Sequence, residues 1–260
     1  WAVMDLIVVA FVAFVASTVT FFSGFGLGTV LLPVFAVFLP TSAAIAATAI
    51  VHLLNSALRL GLVRHHVEGN VVMRFGLPAF AAAFLGAVAL HALDGLDSLA
   101  HYRLAGSVRD VTPLNLVVAA LLLGLGVQEI RPRRPGEGIP ERFMPVGGLL
   151  SGFVGGLSGL QGALRSAFLI KTGLSSAGFI ATGAAIALLV DTSRIIVYGV
   201  QGQLTASGQD TSVLITEIAA ASVGTIIGNR FLTRVTLDVI KVIVGTALII
   251  IAVALGMGIL

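Results

Sequence analysis

The sequence predicts an all-α polytopic membrane protein built from two related halves, and three observations carry that prediction. Apolar residues make up 57% of the 260 residues, charged ones only 10%, and the mean hydropathy is +1.07; a soluble domain carries about 25% charged residues. Apolar segments of helical length follow one another along the whole chain. Finally, a glycine-rich break interrupts the apolar sequence twice, about half the chain length apart: Ser23-Gly24-Phe25-Gly26-Leu27-Gly28-Thr29 and Ser158-Gly159-Leu160-Gln161-Gly162-Ala163-Leu164-Arg165. Unwound backbone at membrane depth persists only where protein buries it or a cavity solvates it. Paired breaks in matching positions of two halves are the best sequence pointer to a transport site.

The first segment, Met4 to Phe22, is too long for a signal-peptide core and has no basic stretch before it. It reads as a helix running into the first break, with Thr29 to Leu39 beyond. Ser42 to Val63, Val71 to Leu93 and Leu114 to Ile130 follow as spans, since about 20 apolar residues cross the hydrocarbon core as a helix. The stretch Arg131-Pro132-Arg133-Arg134-Pro135-Gly136-Glu137-Gly138 is charged and proline-rich, and it cannot stay in hydrocarbon. Residues 131–142 therefore read as a cytoplasmic linker between a first repeat, 1–130, and a second, 143–260, within a single transmembrane domain. The second repeat reads as Phe143 to Leu157, the break, Ala163 to Ile170, then Ser175 to Tyr198, Val213 to Leu232 and Leu237 to Leu260.

The two halves match in order. Ser23-Gly24 corresponds to Ser158-Gly159, Ala47-Thr48-Ala49 to Ala181-Thr182-Gly183, and Asn55 with Arg59 to Asp191 with Arg194, at nearly constant offset. Such self-similarity at fixed spacing is the signature of a repeat. Cytoplasmic loops carry an excess of Lys and Arg. With Arg165 set aside, eight full spans and parallel repeats divide the basic residues eight inside and six outside. Reading each broken segment as a hairpin that enters and leaves on one side divides them eleven to three and makes the repeats inverted. The hairpin layout is preferred; the alternative is eight spans with parallel repeats.

The breaks offer chemistry through helix ends. Helices beginning after Gly28 and after Gly162 leave their first N–H groups unpaired, where the macrodipole favours an anion. Arg165 lies in the first turn of the second of these, and a guanidinium suits bidentate binding of an oxyanion. The competing reading is that Arg165 snorkels to an interface or pairs with Asp191. The substrate-binding set read from the breaks and the equivalent helices is Ser23, Gly24, Gly26, Gly28, Thr29, Thr48, Asn55, Ser158, Gly159, Gln161, Gly162, Arg165 and Thr182. His52 and Asp191 are candidates for proton or ion coupling, because intramembrane ionisable groups are rare and expensive unless used. Asp191 and Arg194 are three residues apart, which makes a local ion pair the most economical reading.

These motifs resemble the sulfite exporter TauE/SafE family of membrane anion transporters, through Phe22 to Thr29 ending at Pro33, Thr48 to Asn55, and Gly155 to Phe168. The resemblance covers both halves. It implies two related halves, each with a glycine-rich segment near its start, and movement of sulfite, sulfoacetate or other organosulfur anions across the cytoplasmic membrane. In the second break Gln161 and Ala163 stand where many relatives have glycine, and Arg165 replaces an apolar residue.

Other classes fit less well. A serine protease built on Gly156-Leu157-Ser158-Gly159 would need a deep histidine, and only His52 qualifies. A dinucleotide-binding reading of Gly24 to Gly28 lacks a strand and an acidic ribose partner. His65 and His66, next to Glu68, are adjacent histidines in a loop and read as solvated residues more than as a metal site. Fifteen basic residues give a net charge of +3 and a pI near 10.0, yet they are scattered and form no nucleic-acid patch. The absence of cysteine removes disulfides and thiolate metal sites. The expected function is therefore secondary transport, by alternating access in the inner cell membrane, of a small sulfur-containing anion such as sulfite, sulfoacetate or a related sulfonate. Export is the expected direction, coupled to a proton or sodium and without cofactor, metal or enzymatic activity. A passive anion channel, or a carrier of a non-sulfur anion, is the alternative.

Overall fold

Ten helices, numbered in chain order, make up the described part of the protein: α1 (Val3–Ser23), α2 (Leu27–Phe38), α3 (Thr41–Val63), α4 (Gly69–Asp94), α5 (Pro113–Ile130), α6 (Met144–Ser158), α7 (Gly162–Leu169), α8 (Ser176–Val200), α9 (Thr211–Arg230) and α10 (Asp238–Gly256). The computed structural model describes residues 3–23, 27–104, 106–131, 139–202, 204, 211–230 and 238–260. Gly24 and Gly26 of the first break lie outside them, and of Ser23 only the backbone is described. The fold is all-α and polytopic, with five helices long and apolar enough to cross a bilayer among the described residues: α3, α4, α5, α8 and α9. Large apolar side chains such as Phe11, Leu85 and Ile250 face outward, where lipid is their natural solvent.

Local chemistry sets the helix ends. Thr112 caps α5 by accepting from the Asn115 N–H at 3.1 Å, with Pro113 in the first turn, and Ser175 caps α8 by accepting from the Gly178 N–H at 3.1 Å. Inside α4 the residues Val72–Gly76 form a π turn directly before Pro78. Proline has no N–H and clashes with the carbonyl four residues back, so one wider turn relieves the conflict without ending the helix. The sheet structure among the described residues is an antiparallel hairpin, β1 (Ala100–Leu104) and β2 (Ser107–Val111), in the α4–α5 connection. The sequence reading did not anticipate it.

Helices α6 and α7 form a hairpin around the second break. The Ile139 N–H, ahead of α6, donates to the Ala167 carbonyl near the end of α7 at 3.2 Å, and the Phe168 ring lies over Gly147. With 15 and 8 residues these helices are about 22 and 12 Å long, and neither crosses about 30 Å of hydrocarbon.

Between the halves, helices pair in a reciprocal pattern. α1 packs along α9 and α6 along α4, while α3 packs on α8 and α5 on α10. Gly148, Gly152 and Gly156 of α6 rest on the Phe75, Ala79 and Ala83 carbonyls of α4 in rising order, so this pair is parallel. The α1–α9 pair is parallel too, with Gly224 and Gly228 on the backbone of Phe14 and Thr18. By contrast α3 and α8 are antiparallel. His52 meets Asp191, whereas Val63, eleven residues later, clusters with Ile180 and Ala181. α5 and α10 also run antiparallel, Gly126 lying on Gly245 and Ala119 on Gly256. Small residues at these seams let backbones approach where no hydrophobic force draws helices together in lipid.

The two ends of the molecule differ. One gathers the α3–α4 connection, the residues before α6 and the α7–α8 connection around a depression of about 540 Å³ lined by His65, His66, Glu68, Arg74, Glu141 and Ser175. The other carries the β-hairpin against the C-terminal residues, with the Tyr102 hydroxyl on the Met257 carbonyl and Arg109 Nη1 donating to the Ile259 carbonyl at 2.9 Å.

Candidate functional site

The second break ends α6 with Gly159 in the left-handed conformation, φ +79°, its N–H donating to the Gly155 carbonyl at 2.7 Å. A glycine closes a helix there because it has no Cβ to oppose positive φ. The position is also crowded: a Cβ would meet Arg194 Nη1 at 2.5 Å. The Gly159 carbonyl lies 3.1 Å from the Cβ position of Gly28, which opens α2 beside His52 and Thr48. The described end of the first break and the turn of the second thus touch each other in the interior.

A buried polar network surrounds this junction. On α8 the Asp191 carboxylate is the hub. His52 Nδ1 of α3 lies 2.5 Å from Oδ2, Arg194 Nε donates to Oδ1 at 3.0 Å, and Gln161 Nε2 donates to Oδ1 at 3.4 Å. Arg194 Nη2 sits 2.8 Å from the same oxygen as an ion-pair contact, but neither Nη of Arg194 has an aligned hydrogen-bond acceptor. Arg165 of α7 donates from Nη1 to Gln161 Oε1 at 3.4 Å. A second branch runs along α3. Arg59 Nη2 donates to Asn55 Oδ1 at 3.3 Å, while Asn55 Nδ2 donates to Thr225 Oγ1 at 2.6 Å, the Ala221 carbonyl at 3.2 Å and Ser17 Oγ at 3.3 Å. Arg59 also lies 5.5 Å over the Phe21 ring, and its charge and that of Arg165 are close enough to repel.

Arg59, Arg165 and Arg194 are 7%, 3% and 0% exposed, and among the described residues Asp191 is the one carboxylate of this network. Among the described residues, three buried guanidiniums share this region with one carboxylate, an excess of positive charge. Such an excess is unfavourable on its own and favourable to an incoming anion.

The remaining residues of the predicted set are placed as follows. Thr48 Oγ1 donates to the Ala44 carbonyl and Ser158 Oγ to the Val154 carbonyl, both within their own helices. Thr182 lies toward the other end of α8 and accepts from the Glu68 N–H at 3.0 Å, away from the junction. Gly162 and Thr29 are buried in the first turns of α7 and α2. Ser17, Thr225 and Tyr198, whose hydroxyl bonds the Gly156 carbonyl, were not singled out from sequence. Arg59 was seen only as the repeat-mate of Arg194. Its position four residues after Asn55 was the available signal, because such residues share a helix face.

Asn55→Leu is expected to destabilise the protein by about 1–3 kcal/mol, since it strips partners from Arg59 and Thr225 in a buried site. Thermal denaturation of the purified protein checks this.

Neither a curated protein nor a solved structure matches the chain. The family described as sulfite exporter TauE/SafE matches residues 9–255, a range that takes in both breaks and every residue of the buried network. The chain therefore belongs to the sulfite exporter TauE/SafE family of membrane transporters.

Proposed function

We propose that this protein is a secondary transporter that carries a small organosulfur oxyanion, such as sulfite, sulfoacetate or a related sulfonate, out across the inner cell membrane. The observation that carries this reading is the burial of Arg59, Arg165 and Arg194 near the junction of the two breaks, with Asp191 the one carboxylate among the described residues of the network. An oxyanion there neutralises the excess charge and receives the unused Nη donors of Arg194, beside the first turn of α7. Gly159 and Gly28 let backbone and guanidinium crowd around it. Thr48 and Ser158, with hydroxyls turned to their own helices, shape the wall.

Alternating access follows from two inverted repeats rocking about this site. The antiparallel courses of α3 against α8 and α5 against α10 support inversion, because equivalent helices of parallel repeats would run the same way. The hairpin of α6 and α7 supports the layout in which broken segments do not cross. In that layout residues 131–142 form the cytoplasmic linker between repeats 1–130 and 143–260 of one transmembrane domain, and the depression lined by His65, His66 and Arg74 opens to the cytoplasm.

Thermal stabilisation of the purified protein by a panel of sulfite, sulfate, sulfoacetate, taurine, acetate and phosphate tests the reading. A ligand of the native state stabilises by RT ln(1 + [L]/Kd), about 2.7 kcal/mol at a hundredfold excess over Kd. Sulfite or sulfonates are expected to stabilise the wild type selectively and Arg165→Ala much less. Equal response of wild type and variant removes Arg165 from the site, and a continuous open pore in all states replaces the carrier with a channel.

A further inference from the structure

On α9, away from the aspartate hub, lies a second acid that the transport reading does not use. The Glu217 side chain is 1% exposed, and neither of its carboxyl oxygens has a hydrogen-bond partner. α9 packs on α1 and α3. The one titratable residue of α1 is an acid, Asp5, whose side chain lies outside the described residues; residues 6–23 contain none. α3 presents His52, which is held by Asp191, and Arg59, which is held by Asn55. The nearest basic residue described on α9 itself is Arg230, at its far end. A carboxylate shut away from water without cation or donor is strongly unfavourable.

Glu217 also sits on the face of α9 that touches the site. Residues four apart share a helix face, and Glu217, Ala221 and Thr225 are successive steps along it. The Ala221 carbonyl and the Thr225 hydroxyl hold Asn55, and Asn55 holds Arg59. A shift of α9 that brings Glu217 to water therefore also moves the contacts that position a guanidinium of the anion site.

We infer that Glu217 is the carrier of the coupling proton. It holds the proton while buried and releases it when α9 opens to one side, so anion movement and proton movement share one conformational change. The inference rests on the transport reading. His52 and Asp191, the coupling candidates named from sequence, already engage each other, and Asp191 engages Arg194 and Gln161 besides.

The test uses full-length protein in proteoliposomes with labelled sulfoacetate, which keeps its charge around neutral pH, and with the membrane potential clamped by a potassium ionophore. One unit of pH gradient changes the equilibrium accumulation per coupled proton about tenfold. Wild type is expected to show that response. Glu217→Gln is expected to exchange sulfoacetate at equal concentrations within about twofold of wild type and to lose the response to the gradient. A Gln variant that still follows the gradient overturns the proposal. Infrared difference spectra over a pH titration give a readout independent of transport: a protonated-acid carbonyl band in wild type, shifted in Glu217→Asp and missing in Glu217→Gln. A wild type without that band overturns the proposal whatever the flux. Absence of anion flux in wild type that shows the band overturns the transport reading, and coupling with it, so the two failures are distinct.

Discussion

Asp191→Ala is expected to destabilise the folded protein by about 3–5 kcal/mol, because it leaves the Arg194 guanidinium without its counter-charge in a site sealed from water. His52 loses its partner at the same time. The diagnostic comparison is with the pair Asp191→Asn and Arg194→Gln together, which replaces the ion pair by neutral amides and leaves no buried charge at either position. If the loss arises from an uncompensated charge, the double variant should retain more folded protein after heating than Asp191→Ala, measured by size-exclusion chromatography in detergent. Coupling between residues in direct contact runs from about 0.5 to 3 kcal/mol. Losses that simply add would show that Asp191 and Arg194 act separately.

Gly152→Leu is expected to prevent stable assembly, at more than about 3 kcal/mol, the upper end of overpacking effects. A Cβ at Gly152 collides with the backbone of Ala79, and the same holds for Gly148 against Phe75 and Gly156 against Ala83. Backbone cannot swing aside as a side chain does, so α6 must separate from α4, and the second break at its end moves with it. Gly152→Ala is the milder version of the same change. Gly61 and Gly124 serve as controls, since a Cβ at either meets nothing within 4 Å. Substituting alanine there should be neutral or stabilising by about 0.5–1 kcal/mol, as expected for glycine inside a helix. Monodispersity and thermal denaturation of the four variants decide the matter.

Much of the helical framework was legible from sequence. The predicted segment from Ser42 to Val63 became α3 (Thr41–Val63), and that from Ser175 to Tyr198 became α8 (Ser176–Val200). Hydropathy and caps are local, and they read out directly. The β-hairpin was missed because Ala100–Leu104 and Ser107–Val111 are five residues each, too short for alternation to stand out beside apolar helices. Within the site, Asp191 with Arg194 was visible as a pair one turn apart on a helix, and Asn55 with Arg59 as its counterpart in the repeat. The bond from His52 to Asp191 joins residues 139 positions apart, and that from Asn55 to Thr225 joins residues 170 apart. No spacing rule reaches so far. Thr182, the repeat-mate of Thr48, accepts from the Glu68 N–H, a partner 114 positions away that spacing does not reveal either.

By itself, the sequence determined the solvent of this protein, the length and order of its described helices, and the place where the second half turns at Gly159. Each of those depends on hydrophobicity and backbone freedom within about twenty residues. Only the tertiary structure decided that the Gly159 turn meets Gly28, that Arg59, Arg165 and Arg194 are buried near one another in the region of Asp191, and that Glu217 is left without a partner among the described residues. Those outcomes depend on which helix faces pack across the two halves, and a buried charge is balanced or unbalanced by neighbours in space, whatever their distance along the chain.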